Sequence, residues 1–296
     1  MNKKTNAGSG KMHCVFVLLL ALILAMTACG ITGKTPGGDS RQENAALTVT
    51  AFKIGKADAI VLEAGGSTVV IDTGEEEDGE EILTYLKRNG CEAVDLLIIT
   101  HFDKDHVGGA ETLVKGIDIR DVVIPDYVRD SKKYERFMDA LKGKEIEPER
   151  LRETKQLSPG GMEIRIDPPG TYDEAVFTEK YDNNCSLLTK VTYGSRSFLF
   201  TGDIEAQRIR ALLKEGADLS ADVLKMPHHG RYDALLPELL AAVSPELALI
   251  CDSDKNPADE ETLDLLRERD IQTYETRRGN IVVICDGERI VAGNQK

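Results

Sequence analysis

The sequence is short of positive charge: 37 Lys and Arg stand against 51 Asp and Glu, a formal net charge of −14. That deficit argues against a broad basic groove for nucleic acid and against adhesion to an anionic lipid face, while leaving room for a local basic patch. Long apolar runs are also missing. The run at residues 14 to 26 falls short of the roughly 20 residues that a membrane-spanning helix needs. Cysteine is sparse, with six in the chain, and the spacing of Cys91, Cys185, Cys251 and Cys285 fits neither a zinc ribbon nor a compact disulfide scaffold. Each of the four lies in or beside an apolar stretch, which favours buried free thiols; a disulfide between Cys251 and Cys285, at two strand ends, stays open. What is present is globular: 41% apolar and 30% charged residues over 296 positions, enough for one large core.

The N-terminus reads as an export signal rather than as part of the fold. Lys3, Lys4 and Lys11 form a positive flank, the short apolar run follows, and small residues close it. Met26-Thr27-Ala28-Cys29 resembles a bacterial lipobox, which makes Cys29 the lipidated first residue of the mature chain; the alternative is an uncleaved anchor helix. Either way the expectation is a chain held at the cell membrane and facing outward, and the lipobox reading makes it lipid-anchored on the extracytoplasmic face. Loss of the signal at 1–28 takes away three Lys and no acid, so the net charge becomes −17. Residues 29–46 follow as lipidated Cys and tether, rich in Gly, Pro and Ser, a coil spanning roughly 20 Å. The folded domain is expected at 47–296.

Within that domain short β-branched runs alternate with helical patterns. Strands are predicted at 47–54, 59–63, 68–72 and 95–100, the last apolar on both faces as a central strand should be. A helix at 79–89 stops at Asn89-Gly90, and the acidic run from Glu75 reads as its solvated start. A helical segment at 131–143 precedes strands at 163–167, 186–193 and 197–202. Helix 204–214, strand 222–226, helix 233–242, strand 246–251, helix 259–269 and strands 271–275 and 280–285 complete the series. The pattern suits an α/β (α+β) fold of two mixed sheets packed face to face with helices outside, a four-layer αββα sandwich, and suits a doubly wound α/β fold about equally.

The motif THFDKDHVGG at 100–109 carries the chemistry. Two His and two Asp fall within six residues at the end of an apolar strand, where a glycine pair permits a sharp turn into a helix. Imidazole and carboxylate are the ligands of hydrolytic metals, and a strand-end loop can hold them open to substrate.

This motif resembles that of the metallo-β-lactamase superfamily, His-x-His-x-Asp-His, with Asp103 in the place of the second His. That departure is typical of the nuclease-like domains of ComEC-type DNA-uptake proteins. Residues 49–74 are similar to the family's opening hairpin, with Asp58 and Asp72 in familiar places. DNNCSLLTKVTYGSRSFLFTGDIE at 182–205, DVLKMPHHG at 222–230 and the closing segment 261–283 are similar to its later motifs. The resemblance favours the αββα sandwich. It also implies two divalent metal ions, Zn or Mn: His101 and Asp103 on one, Asp105, His106 and His228 on the other, and Asp203 bridging. A helix cap is the competing role for Asp203. Asp105 and His229 would be catalytic, His229 as a proton or hydrogen-bond donor, with support of its neighbour as the alternative. Asn183 and Asn184 stand where other members place a third metal-binding His and would orient water or substrate. Arg231-Tyr232-Asp233 and Asn256-Pro257 depart from the ComEC-like pattern, so the substrate rim differs.

The activity implied is hydrolysis of a phosphodiester, DNA included, by a metal-activated water outside the cell. A hydrolase of cell-wall or choline-type phosphoesters is the alternative enzyme, better suited to an acidic, tethered protein. A binding lipoprotein with a degenerate site is the alternative of another class. No protein partner is evident.

Overall fold

The computed structural model describes residues 46–295; the export signal, Cys29 and almost all of the tether lie outside the described residues. The first sheet has eight strands in the order β15-β14-β1-β2-β3-β4-β5-β6. They are β1 (Leu47–Ala51), β2 (Ala59–Ala64), β3 (Ser67–Thr73), β4 (Ala93–Ile98), β5 (Asp118–Pro125), β6 (Glu149–Leu151), β14 (Asn280–Cys285) and β15 (Ile290–Gln295). The second has seven, in the order β13-β12-β11-β10-β9-β8-β7. Its members are β7 (Lys155–Leu157), β8 (Glu163–Asp167), β9 (Leu188–Tyr193), β10 (Arg196–Phe200), β11 (Val223–Lys225), β12 (Leu247–Ile250) and β13 (Gln272–Glu275). In each sheet an antiparallel meander passes into a parallel run, beginning at β3–β4 in the first and at β10–β11 in the second.

Strand periodicity builds the four layers. Because successive side chains point to opposite faces, a fully apolar strand serves two cores at once. Ile60, Leu62, Val69, Ile71, Leu96 and Ile98 face Phe198, Phe200, Val223, Leu247 and Leu249 between the sheets. The alternate residues Val61, Val70, Leu97 and Ile99 look outward onto a helical layer that includes Ile82, Leu113 and Phe137. Leu199, Leu224, Ala248 and Ile250 do the same on the far side against Ile209, Leu239 and Leu266. The helices of the first side are α1 (Gly79–Arg88), α2 (Lys104–Val107), α3 (Ala110–Gly116) and α4 (Lys132–Gly143). After the short α5 (Tyr181–Asn184) come α6 (Ala206–Glu215), α7 (Leu236–Val243) and α8 (Glu260–Glu268).

The αββα sandwich expected from the motifs is therefore the fold, and the doubly wound alternative is not. Four strands escaped the sequence pattern. β5 begins with exposed Asp118, Arg120 and Asp121 and is apolar only towards its end, β6 and β7 are three residues long, and β15 lies at a sheet edge with mixed burial. The four described cysteines are free thiols, Cys251 and Cys285 included. Among the described residues no helix is long and apolar enough to cross a membrane.

Candidate metal centre

Segments from both sheets meet at the C-terminal ends of their parallel strands. The loop after β4 is fixed by the ends of β2 and β3. Asp72, in a left-handed backbone conformation (φ 58°), accepts hydrogen bonds from Thr100 N and Thr100 Oγ1, both at 2.7 Å. Thr73 Oγ1 donates to His106 O (2.9 Å) and Asp58 N to Asp105 O (3.0 Å). Gly109 must be glycine because a Cβ there would lie 2.3 Å from Thr73 O. The second sheet enters through Leu187 N, which donates to Thr100 O at 2.9 Å.

Hydrogen bonding sets the orientation of each imidazole. The Thr100 hydroxyl gives its proton to Asp72, so its oxygen accepts from His101 Nδ1–H (3.1 Å), and Ser186 Oγ lies 3.3 Å from the same nitrogen. His106 Nδ1–H donates to Asp72 Oδ2 at 2.8 Å. Both rings therefore turn Nε2 inward, the nitrogen that an ion at the centre would take. Asp203 follows the tight turn Thr201-Gly202. It does not cap α6, whose N-cap is Glu205, so its carboxylate is free for the centre. Asp203 Oδ2 lies 3.2 Å from His106 Nε2 and 3.1 Å from His229 Nε2.

The His-His-Gly loop departs from the sequence expectation. His228 and His229 both have left-handed backbones (φ 46° and 58°), a strained pairing of the kind that functional loops retain. It is His229 that enters the centre: its Nε2 is 3.6 Å from Asp105 Oδ2, and its Nδ1 is 3.4 Å from Asp58 Oδ1. His228, expected as a ligand, sits outside the groups that could share an ion, with Nδ1 3.1 Å from Glu205 Oε1. Two successive left-handed residues turn the neighbouring side chains to different sides, and the register of that turn cannot be read from His-His-Gly.

Asp103 is the other ligand the structure leaves aside. Its side chain is 37% exposed, lies 3.9 Å from His101 Nε2 and faces Arg129 Nη2 at 3.5 Å. Asn184, expected at the substrate, is wholly engaged by the scaffold. Its amide donates to Glu179 O and Lys180 O, and its Oδ1 accepts from Glu205 N and Arg208 N. Asn183 donates to Glu205 Oε1 at 2.7 Å and so supports the carboxylate that holds His228.

Beneath the centre lies a residue to which the sequence assigned no role. Lys225, fully buried at the end of β11, pairs with Asp58, donates to Gly202 O at 3.0 Å and stands 3.5 Å from Asp203 Oδ1. Burial alone would discharge it, but Asp58 and Asp203 hold its pKa above the ordinary lysine range. Lys56, in the β1–β2 turn, pairs with Asp105.

Three buried atoms, His101 Nε2, His106 Nε2 and His229 Nε2, make no hydrogen bond of ordinary geometry. Buried nitrogens without a partner are costly unless a ligand satisfies them. His101, His106 and Asp203 lie close enough to share one ion, as do Asp105, His106 and His229, with ligand atoms within 4.8 Å of one another. The donor set is imidazole and carboxylate, which fits a divalent hydrolytic metal. The charges agree. Burial and neighbouring His106 keep His101 neutral, its pKa well below the usual value. Burial works against charge on His229 too, but Asp203 outweighs it and raises that pKa to about 10. Against the same burial penalty, Asp203 and Asp72 hold His106 well above the ordinary range. Without a cation the carboxylates thus keep protons on two imidazoles, and an ion entering the centre has to displace them.

Comparison with known proteins agrees with this fold. The family model of the metallo-beta-lactamase superfamily matches residues 54–251, well over half of the chain. ComE operon protein 3 of Bacillus subtilis is 27% identical over 208 residues, covering 69% of this chain and 26% of its own length. Recombination protein 2 of Haemophilus influenzae is 29% identical over 214 residues, covering 71% of this chain and 24% of its own. The chain thus spans about a quarter of the length of these relatives. The solved structure of the metallo-beta-lactamase fold protein YhfI from Bacillus subtilis superposes with a TM-score of 0.55 at 11% identity, over 84% of this chain and all of the other. Fold, motif order and convergent His and Asp side chains lead to one assignment: the chain belongs to the metallo-beta-lactamase superfamily.

Proposed function

We propose that this protein is a metal-dependent hydrolase of phosphodiesters that works outside the cell, tethered through a lipidated Cys29. The observation that carries the hydrolase reading is the convergence of His101, His106 and His229 with Asp105 and Asp203, drawn from both sheets onto one buried centre. Divalent ions held by these residues would activate water and neutralise charge on phosphoryl oxygens. The carboxylate share of the donor set favours Mn²⁺ over Zn²⁺ by ligand hardness, although zinc binds more tightly when both are supplied.

The rim supplies the rest. Lys56 and Arg129, with side chains 36% and 42% exposed, place two positive charges beside Asp105 and Asp103 in an otherwise acidic protein. They are suited to non-bridging phosphoryl oxygens, Arg129 through its planar fork. His229 lies among Asp58, Asp105 and Asp203 and belongs to the centre, so the donor role expected of it passes to His228. With Nδ1 engaged by Glu205, the His228 Nε2 is the atom that can hydrogen-bond a leaving-group oxygen. The net charge of −14 favours a compact phosphodiester over a long stretch of duplex DNA. A cell-wall or choline-type phosphoester answers the same description.

The purified protein, reconstituted with Mn²⁺ and with Zn²⁺, should be assayed on single- and double-stranded DNA, dinucleotides and simple phosphodiesters. Metal-dependent cleavage of at least one class is expected. Bound metal without turnover of any of them would favour a ligand-binding lipoprotein instead. Labelled fatty acid supplied to a bacterial host should enter the wild-type chain and not Cys29→Ser; equal labelling of both would remove the anchor.

A further inference from the structure

We propose that this centre holds one ion tightly and that the Arg129 guanidinium, rather than a second ion, neutralises Asp103. The inference rests on the metal-dependent reading above and concerns how the donors divide. An imidazole nitrogen offers one lone pair and can serve one ion only. Asp105, His106 and His229 lie close enough to share one ion, and Asp203 lies beside both imidazoles, so an ion held there uses both nitrogens.

What remains for a second ion is meagre. His101 Nε2 is the one nitrogen left over, and the other Asp203 oxygen already faces Lys225 Nζ at 3.5 Å. Asp103 is the carboxylate nearest His101, yet its Oδ1 is turned to Arg129 Nη2. The same guanidinium pairs with Asp182 through Nη1. Asn184 spends its amide and its carbonyl on the backbone around α5 and α6, and the Asn183 amide is held by Glu205. A closed zinc site takes four donors, and a catalytic one takes three with a water. The second position musters one nitrogen, a shared carboxylate and a carboxylate that already faces a guanidinium.

Lys56 makes a closer contact with Asp105 than Arg129 does with Asp103, but the two cations act on unequal sets. Without Asp105 the first set still has two imidazoles and Asp203, whereas without Asp103 the second has a single imidazole of its own. Arg129 also stands on an anchored segment. Its loop, between β5 and α4, is anchored by Tyr127, whose hydroxyl accepts from Phe102 N at 3.1 Å and whose carbonyl accepts from Arg150 Nη1 at 3.0 Å. Guanidinium keeps its proton at all working pH values, so it cannot give way to a metal by deprotonation.

The test is a count of ions. Full-length protein, stripped of metal, would be equilibrated by dialysis with Mn²⁺ and separately with Zn²⁺, and bound metal per chain measured by elemental analysis, with circular dichroism to confirm folding. One ion is expected for the wild type and for Asp103→Asn, and none for His106→Ala. Arg129→Gln frees Asp103 and should take up a second ion at least about tenfold more tightly than the wild type does; Arg129→Lys, which keeps the charge, should not. Two tightly held ions in the wild type, with one lost in Asp103→Asn, would overturn the proposal. So would an Arg129→Gln variant whose second-ion affinity matches the wild type. A protein that holds no ion at all would instead sink the metal-dependent reading, and a one-ion protein that cleaves no phosphodiester would sink only the choice of substrate.

Discussion

The two sheets have the same plan and use it differently. In each, an antiparallel meander feeds a parallel pair, β3–β4 in the first and β10–β11 in the second, and a tight turn carries an aspartate at the end of the leading strand. In the first sheet that aspartate, Asp72, is a buttress: it orients His106 and Thr100 and leaves the donor positions to the next loop. In the second the aspartate, Asp203, enters the centre itself, and the next loop adds only His229. One side thus builds a preorganised cluster from one contiguous motif, and the other completes it with two single residues. Equivalent positions in a repeated plan need not carry equivalent chemistry.

The sharpest test of that division is to remove one residue from the second sheet. Asp203→Ala and His229→Ala should each lose bound metal and reduce hydrolysis by more than about a hundredfold, a larger effect than is usual for a residue that only supports a ligand. His228→Ala should keep its metal and lose turnover alone. Elemental analysis beside activity separates the three, and metal loss in His228→Ala with retention in His229→Ala would reverse the placement of the two imidazoles. Next in size is Lys225→Met. It leaves Asp58 buried without its cation, so a loss of about 3–5 kcal/mol is expected in denaturant unfolding. A change within about 0.5 kcal/mol would show that the pair is dispensable. Asp72→Asn tests the buttress: it keeps shape but weakens the hold on His106, and metal affinity should fall by roughly 10- to 100-fold with the fold intact. An unchanged affinity would make Asp72 no more than a turn residue.

The smallest effect lies away from the centre. Burial, followed by the charges of Glu77 and Glu75, raises the Asp78 carboxyl to about 6, against the pull of its hydrogen bond from Glu75 N. The folded state therefore holds this proton more tightly than the unfolded chain, whose value is 3.8, and stability falls as pH rises between the two. Asp78→Asn should stabilise the protein above pH 6 by at most about 1 kcal/mol, because the group is part-exposed, and by nothing at pH 3.5. Thermal melts at the two pH values would show it, and an equal gain at both would mean that charge is not the cause.

The same contrast decides what could be read beforehand. His101, Asp105 and His106 were legible as candidates because strand, loop and candidate ligands are consecutive, and central strands such as β2 and β4 were legible because both their faces are apolar. Asp203 was legible as a candidate from the order of the motifs, and the position of Glu205 at the N-cap removes the competing role of helix cap. The exchange of His228 for His229 was not legible, since it depends on two φ angles and not on residue type. Arg129 and Lys225 stayed silent for another reason. Single cations earn their meaning from the carboxylates around them, and Asp182 and Asp58 are distant from them in the chain.

Since Asp105 and His106 hang from one sheet while Asp203 and His229 hang from the other, an ion held among them is a clasp across the sandwich. Prising the sheets apart and emptying the centre become one event, so the free energy of binding adds directly to the free energy of unfolding. At a free concentration one thousand times the dissociation constant that contribution is about 4 kcal/mol. Melting temperature then becomes a gauge of occupancy that needs no substrate, and a chelator becomes a denaturant.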